Sequence, residues 1–429
     1  MTARRAKALK GSFTLPGDQA IALRAVLIGA TALGQTVLDG IPGGPTIETA
    51  LAVARAFGAR VDHDGDNCII DGLGVGGLLA PLGPVQTGAS RLLLLLTAGL
   101  VAPYRFATNL ADAADALPTE LSQPLGLMGT ELSGVDGMTL MGPALPLPIT
   151  AKITEPSAGI KSALLLAGLA IPGVTQITEP AVGRDHTEIL LSHFGASIES
   201  QVDGQGWRTI VLTGQPDLRG QFLALPADTA LASFPIVAAL LVPGSEVVLP
   251  NVLVNPGRTG LIDTLLEMGG NIEFFNQRQS GGEFVADLRI RHSRLRGITI
   301  PADRTAALAH DYHALAVAAA LADGETLLLG LEQLRRRDGD RIAALQVALT
   351  ANHVTCEETP DRMSIVGADR CGGASIACGT DYRLAMAMLV LGLAGRDAVT
   401  VTDPASIAAV FPRFVSQFVA LGAPIDARK

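Results

Sequence analysis

The chain has 429 residues and a formal charge of −9, with 48% hydrophobic, 17% charged and only 4% aromatic residues. That content excludes a disordered chain, and the length exceeds what one hydrophobic core serves, so two domains of about 200 residues each are expected. No basic run is longer than Arg335-Arg336-Arg337, which argues against a nucleic-acid partner. The most apolar run, residues 92–101, has about half the ~20 residues that a membrane-spanning helix needs. It also lacks the charged start of a signal peptide, so a soluble, cytoplasmic protein is expected. Cys68, Cys356, Cys371 and Cys378 are scattered without CxxC or His-rich spacing, which points to reduced, buried thiols and to no metal.

Along the chain one pattern recurs. An extended stretch and a turn with small or acidic residues lead into an apolar Ala/Leu helix. A Gly turn, a short Val/Thr strand and an amphipathic helix ending in Gly-Ala follow. In the first copy LPGD (residues 15–18) precedes a helix expected near 21–32, TVLDG (36–40) reads as a strand, TIETALAVARAFGA (46–59) as a second helix and CIIDG (68–72) as a strand. Further copies begin near Val85, Glu155, Pro226, Ala309 and Thr380. The fourth is clear, with LPADTALASFPIVAALLV (225–242), SEVVLPNV (245–252), then GRTGLIDTLLEMGG and NIEFF (257–275). One such module cannot cover its own apolar helix, so three are expected to share a core, giving two domains. No GxxxxGK[ST] loop occurs, so a P-loop nucleotide site is not indicated.

The local strings resemble the 5-enolpyruvylshikimate-3-phosphate synthase family. LPGDQAIALRA (15–25) resembles LPGDKSISHRA, SAGIKSALLLAGL (157–169) resembles SAQVKSALLLAGL, and EPAVGRDHTEILLSHFGA (179–196) resembles EPxxxRDHTExMLxxFGA. Residues 247–270 are similar to VxNPxRTGxxxxLxxMG, RRRDGDRIAAL (335–345) to R-x-K-E-S-D-R-I, and TDYRLAMAM (380–388) to G-D-H-R-xAMA. The resemblance implies the two-domain α/β fold of enolpyruvyl transferases, an inside-out α/β barrel of six βαβαββ-type units. Residues 1–17 and 227–429 would form one domain and 18–226 the other, with hinges near 15–18 and 225–228. It also implies that phosphoenolpyruvate and shikimate 3-phosphate bind in a cleft that closes, that no cofactor is used, and that the chain is a monomer in the shikimate pathway.

Carried over position by position, the resemblance assigns Arg341 and Arg383 to the enolpyruvate carboxylate, for which a planar guanidinium is suited. Arg24, Ser157, Arg184, His186 and Arg337 fall on shikimate 3-phosphate positions. Asp338 falls on the family's acid/base glutamate. The second acid/base carboxylate falls on His310, or on Asp311 after a shift of one residue; an imidazole also serves as a base near neutral pH. The cage around the phosphoenolpyruvate phosphate departs from the family, with Gln19, Ala116, Gly159 and a residue near Ala409 at its positions. Each charged hydrogen bond lost there is worth about 1.5–3 kcal/mol; Arg91, which falls on the arginine of the family's GTTMRLLxGL string, and Lys161 are the cations that would compensate. Three readings stay open: a synthase with rearranged ligands, a paralogue acting on another carboxylate-bearing substrate, and a non-catalytic binding or regulatory member.

Overall fold

The computed structural model describes residues 1–112, 117–134, 137–305, 307–332, 334–335 and 341–426. It divides into two compact lobes. Lobe 1 comprises residues 1–16, 227–278 and 284–429; lobe 2 comprises residues 17–226 and 279–283.

The chain begins with strands β1 (Thr2–Ala3) and β2 (Lys10–Ser12). The first module follows, with α1 (Gln19–Ala30), β3 (Leu33–Asp39), α2 (Pro45–Ala56), β4 (Arg60–Asp64) and β5 (Asn67–Leu73). The second has α3 (Arg91–Val101), β6 (Ala107–Leu110), α4 (Thr119–Leu127), β7 (Glu131–Ser133) and β8 (Met138–Met141). The third adds β9 (Thr150–Lys152), α5 (Ala158–Leu169), β10 (Val174–Pro180), α6 (His186–His193), β11 (Ile198–Val202) and β12 (Trp207–Thr213), and β13 (Phe222–Ala224) comes next.

The fourth module holds α7 (Thr229–Leu241), β14 (Glu246–Leu253), α8 (Gly260–Glu267), β15 (Asn271–Ser280) and β16 (Glu283–Arg291). The fifth holds β17 (Thr299–Ile300), α9 (Tyr312–Ala320), β18 (Glu325–Leu329), α10 (Arg341–Ala351), β19 (Thr355–Glu358) and β20 (Arg362–Val366). The sixth has β21 (Ser375–Ile376), α11 (Tyr382–Ala394), β22 (Val399–Val401), α12 (Ala405–Val410), α13 (Phe414–Ala420) and β23 (Ile425–Asp426).

Six sheets result among the described residues, one per module. The first five carry an antiparallel hairpin after the second helix: β4–β5, β7–β8, β11–β12, β15–β16 and β19–β20. Sequence periodicity gave one strand there; the hairpin's outer strand is exposed and polar, as in Arg60–Asp64 and Ile198–Val202, so it has no alternation to read. Two sheets are completed by strands from distant sequence. β2 pairs in parallel with β14 of the fourth module, and β13 pairs in parallel with β3 of the first. The sixth sheet is closed by β1, which lies between β22 and β23.

The first helix of each module explains why the sheets lie outside. Residues 21–30 of α1 and 160–169 of α5 are buried without a break, and α7, α9 and α11 are nearly so. A helix apolar on every side must be surrounded by protein. In lobe 2, α1, α3 and α5 pack on one another, and in lobe 1, α7, α9 and α11 do the same. The second helices α2 and α8 have one apolar face and cover their sheets. Aspartates in the repeated LPGD and LPAD strings start two central helices: Asp18 Oδ1 accepts from the Ile21 amide at 3.0 Å, and Asp228 Oδ1 from Ala230 at 2.8 Å. Such caps are worth about 1 kcal/mol each.

α3 and α5 approach closely: a Cβ on Gly99 would lie 2.1 Å from the Ala163 carbonyl oxygen. Alanine is ordinarily preferred to glycine inside a helix by about 1 kcal/mol. Here the backbone contact outweighs that preference, because overpacking a core costs about 1–3 kcal/mol. Gly99→Ala is therefore expected to lower the urea midpoint of unfolding; an unchanged or raised midpoint would mean that the two helices separate easily.

Candidate active site

In lobe 1 the starts of three helices bring charged side chains together. Asp381 precedes α11, and its Oδ1 accepts from the amides of Arg383 and Leu384 at 3.0 and 3.1 Å. Its Oδ2 lies 3.6 Å from Nε2 of His313 and 3.9 Å from Nε of Arg341, the first residue of α10. Arg383 Nη2 lies 3.4 Å from Nδ1 of His310, and its guanidinium sits 4.5 Å from the centre of the Tyr382 ring. Asp311, which directly precedes α9, is 5% exposed. The two arginines assigned to a carboxylate thus meet around Asp381, and His310 joins Arg383 although more than 70 residues separate them.

The electrostatics follow from burial and from helix ends. Burial alone would raise the Asp381 carboxyl, but the His313 imidazole, the Leu384 amide and the Arg341 charge outweigh it, so this carboxyl titrates below the usual carboxylate range. His313 is fully buried, and that burial holds its pKa below that of an ordinary imidazole despite the facing carboxylate. Arginines in the first turns of α10 and α11 oppose the helix dipoles. That placement is unfavourable for an empty helix and suits a bound anion.

In lobe 2 the carried-over residues are drawn into an internal network. Arg24 is 2% exposed. Its Nε donates to Thr187 Oγ1 at 2.7 Å, Nη2 to Ser162 Oγ at 2.9 Å and Nη1 to the Ala20 carbonyl at 2.8 Å. A solvated charge on the helix face is excluded for it. Ser157 caps α5, accepting weakly from the Ile160 amide at 3.4 Å. Gln19 opens α1 and is half-buried, as is Arg184; Arg91 opens α3 and is exposed.

Lys161 requires a correction. Offered above as a cation for a phosphate, it is 0% exposed, and its Nζ lies 2.6 Å from Glu179 Oε1, 2.8 Å from Glu188 Oε1 and 2.5 Å from the Arg184 carbonyl. Its charge is committed inside the lobe, where it fixes the turn bearing Arg184. His186, also on a matched position, is buried with Nδ1 2.6 Å from Glu283 Oε1. Gly159 lies against α3, and a Cβ there would come within 2.9 Å of Leu95 Cδ1. Ala116, Arg337 and Asp338 lie outside the described residues.

Sequence reasoning missed His313, Tyr382 and the pair Glu179–Glu188 as participants. The doubled aromatic and imidazole pattern in AHDYHAL (309–315) was the available signal for the first. The glutamates carried none, since only folding shows that both face one lysine.

Compared with known proteins, residues 3–418 match the family model described as EPSP synthase (3-phosphoshikimate 1-carboxyvinyltransferase). The chain belongs to the EPSP synthase family. It is 43% identical to the 3-phosphoshikimate 1-carboxyvinyltransferase of Chelativorans sp. over 99% of this chain and 97% of that one, and equally so to that of Rhizobium johnstonii. Among solved structures, EPSP synthase from Acinetobacter baumannii superposes with a TM-score of 0.92 at 31% identity, covering 100% of this chain and 99% of that one. The enolpyruvyl transferase NikO of Streptomyces tendae shares the fold, with a TM-score of 0.75 at 20% identity. For this family member, the four cysteines are buried and unpaired. Burial lifts the thiols of Cys68 and Cys371 to about 11, and those of Cys356 and Cys378 to about 12. No helix among the described residues is long and apolar enough to cross a membrane.

Two outcomes test this arrangement. Replacing Lys161 with Met leaves two carboxylates buried without their cation, and breaking a buried ion cluster from one side costs about 3–5 kcal/mol; urea unfolding at pH 7 is expected to show a loss of that size. For Asp381, the folded carboxyl titrates below its unfolded value of about 3.9. Its contribution to stability is therefore present above that pH and is lost as pH falls through the folded value. Asp381→Asn keeps the helix cap but removes the charge, so its deficit in melting temperature should be full at pH 7 and shrink below about pH 4. A deficit independent of pH would remove the charge from the account.

Proposed function

We propose that the chain transfers the enolpyruvyl group of phosphoenolpyruvate to the 5-hydroxyl of shikimate 3-phosphate. The observation that carries this reading is that Arg341, Arg383 and His310 come together around Asp381 at the helix starts of lobe 1, with Asp311 next to His310 in the chain. It is supported by full-length relatives named 3-phosphoshikimate 1-carboxyvinyltransferase. The two guanidiniums hold the enolpyruvate carboxylate. An acid protonates the methylene carbon while the 5-hydroxyl oxygen adds to the neighbouring carbon and gives up its proton to a base. Loss of inorganic phosphate and of one methyl proton then regenerates the vinyl group. His310 or Asp311 serves as one proton carrier and Asp338 as the other.

In this reading the phosphate is held with fewer cations than is usual for the family. Gln19 offers an amide, Gly159 is pressed against Leu95, and Lys161 and Arg24 are engaged internally. Arg91, exposed at the start of α3, is a cation available to it. The same features favour a second reading, in which the substrate keeps a carboxylate but lacks the phosphate. Phosphate release on mixing phosphoenolpyruvate and shikimate 3-phosphate separates the two. Turnover approaching the enzymatic median of about 10 per second supports the synthase reading, and no release above background rejects it.

Arg383→Ala removes a charge-assisted contact worth about 1.5–3 kcal/mol. It is expected to raise the KM for phosphoenolpyruvate by about ten- to a hundred-fold while leaving the KM for shikimate 3-phosphate within about three-fold. Equal effects on both substrates would count against the carboxylate assignment.

A further inference from the structure

We propose that Tyr382 is a positioning residue whose ring fixes the Arg383 guanidinium, and that it sets affinity for the carboxylate-bearing substrate. The inference rests on the assignment of Arg383 to that carboxylate. Tyr382 and Arg383 are the first two residues of α11, and both ride on the turn capped by Asp381. The guanidinium carbon lies 4.5 Å from the centre of the Tyr382 ring, within the range of a cation–π contact. Its Nη2 is 3.4 Å from His310 Nδ1. An arginine side chain has about 2 kcal/mol of rotamer entropy to lose, so a ring on one side and an imidazole at the end are what hold this one in place before a substrate arrives.

The residue type matters because the family's G-D-H-R string has histidine where this chain has Tyr382 in TDYR. Imidazole beside two arginines becomes a repelling cation when protonated, whereas a phenol ring presents the same negative face at every working pH. Burial pushes the Tyr382 hydroxyl above its ordinary pKa, with Arg383 acting in the opposite direction, so the ring stays neutral. Among the described residues, the charged and titratable groups that act on this pair from the neighbouring elements are Asp228 before α7, His310 and His313 around the start of α9, Arg341 on α10 and Asp381 before α11.

The test uses the full-length protein with Tyr382→Phe, Tyr382→Leu and Tyr382→His. Loss of a cation–π contact converts to about two- to thirty-fold in affinity. Tyr382→Leu is therefore expected to raise the KM for phosphoenolpyruvate by that factor with kcat and the KM for shikimate 3-phosphate little changed. Tyr382→Phe, which keeps the ring, should stay within about two-fold of wild type. Tyr382→His should match wild type near pH 8.5 and weaken as pH falls through an ordinary imidazole pKa of about 6.5. A substrate-free readout accompanies these: the Nε–H proton of Arg383, assigned by its disappearance in Arg383→Lys, should be ring-current shifted in wild type and Phe and unshifted in Leu.

If Leu lowers the melting temperature but leaves both the KM and the proton shift as in wild type, Tyr382 is a packing residue and the proposal falls. If Phe is as impaired as Leu, the hydroxyl acts and the proposal again falls. Absence of turnover by wild type would sink the synthase reading instead, while the proton shift would still decide whether the ring holds the guanidinium.

Discussion

Three helices in each lobe are apolar on every side, and this restricts where the protein can place chemistry. Helices such as α1, α5 and α11 have no polar face to offer, so the polar groups they expose lie in their first turns and in the loops leading into them. There the unsatisfied backbone amides and the helix dipole already favour anions. Gln19, Arg91, Ser157, Asp381 and Arg383 all occupy such positions. The anion binding proposed for this chain thus follows from how its cores are built, with the side chains refining it.

Inside those cores, charge survives only where it is answered. Lys161 faces two glutamates and a carbonyl, His186 faces Glu283, and Arg24 spends its nitrogens on hydroxyls and a carbonyl. Each arrangement ties the start of one element to a neighbouring one, which gives the ligand-facing turns of lobe 2 a fixed geometry. In lobe 1 the balance differs: Arg341 is 43% exposed along its side chain and Asp381 is 3.9 Å away, a loose pairing that the carboxylate of the proposed function would replace.

Much of this was readable from the chain. The six-fold recurrence of an Ala/Leu helix, a short strand and an amphipathic helix is a matter of periodicity, and it named the modules because apolar burial has a period in each element. The strings around Arg24, Arg341 and Arg383 likewise identified the family. The outer hairpin strands were not legible, because strands such as Arg60–Asp64 owe their shape to backbone pairing with a neighbour and their side chains face solvent. Arg24 illustrates the other gap: as an arginine on a helix it reads equally well as solvated or as buried, and only Ser162 and Thr187 decide between them.

The sequence by itself determined the family, the module count and the apolar central helices, because these depend on local residue type and spacing. Tertiary structure alone decided that β2 completes the sheet of the fourth module and β13 that of the first. It alone showed that Lys161 is enclosed by two carboxylates and that Tyr382 lies beneath Arg383. The reason is that hydrogen bonds between strands, charge neutralisation and ring stacking depend on distances through space, and no pattern along the chain specifies those before the helices have packed.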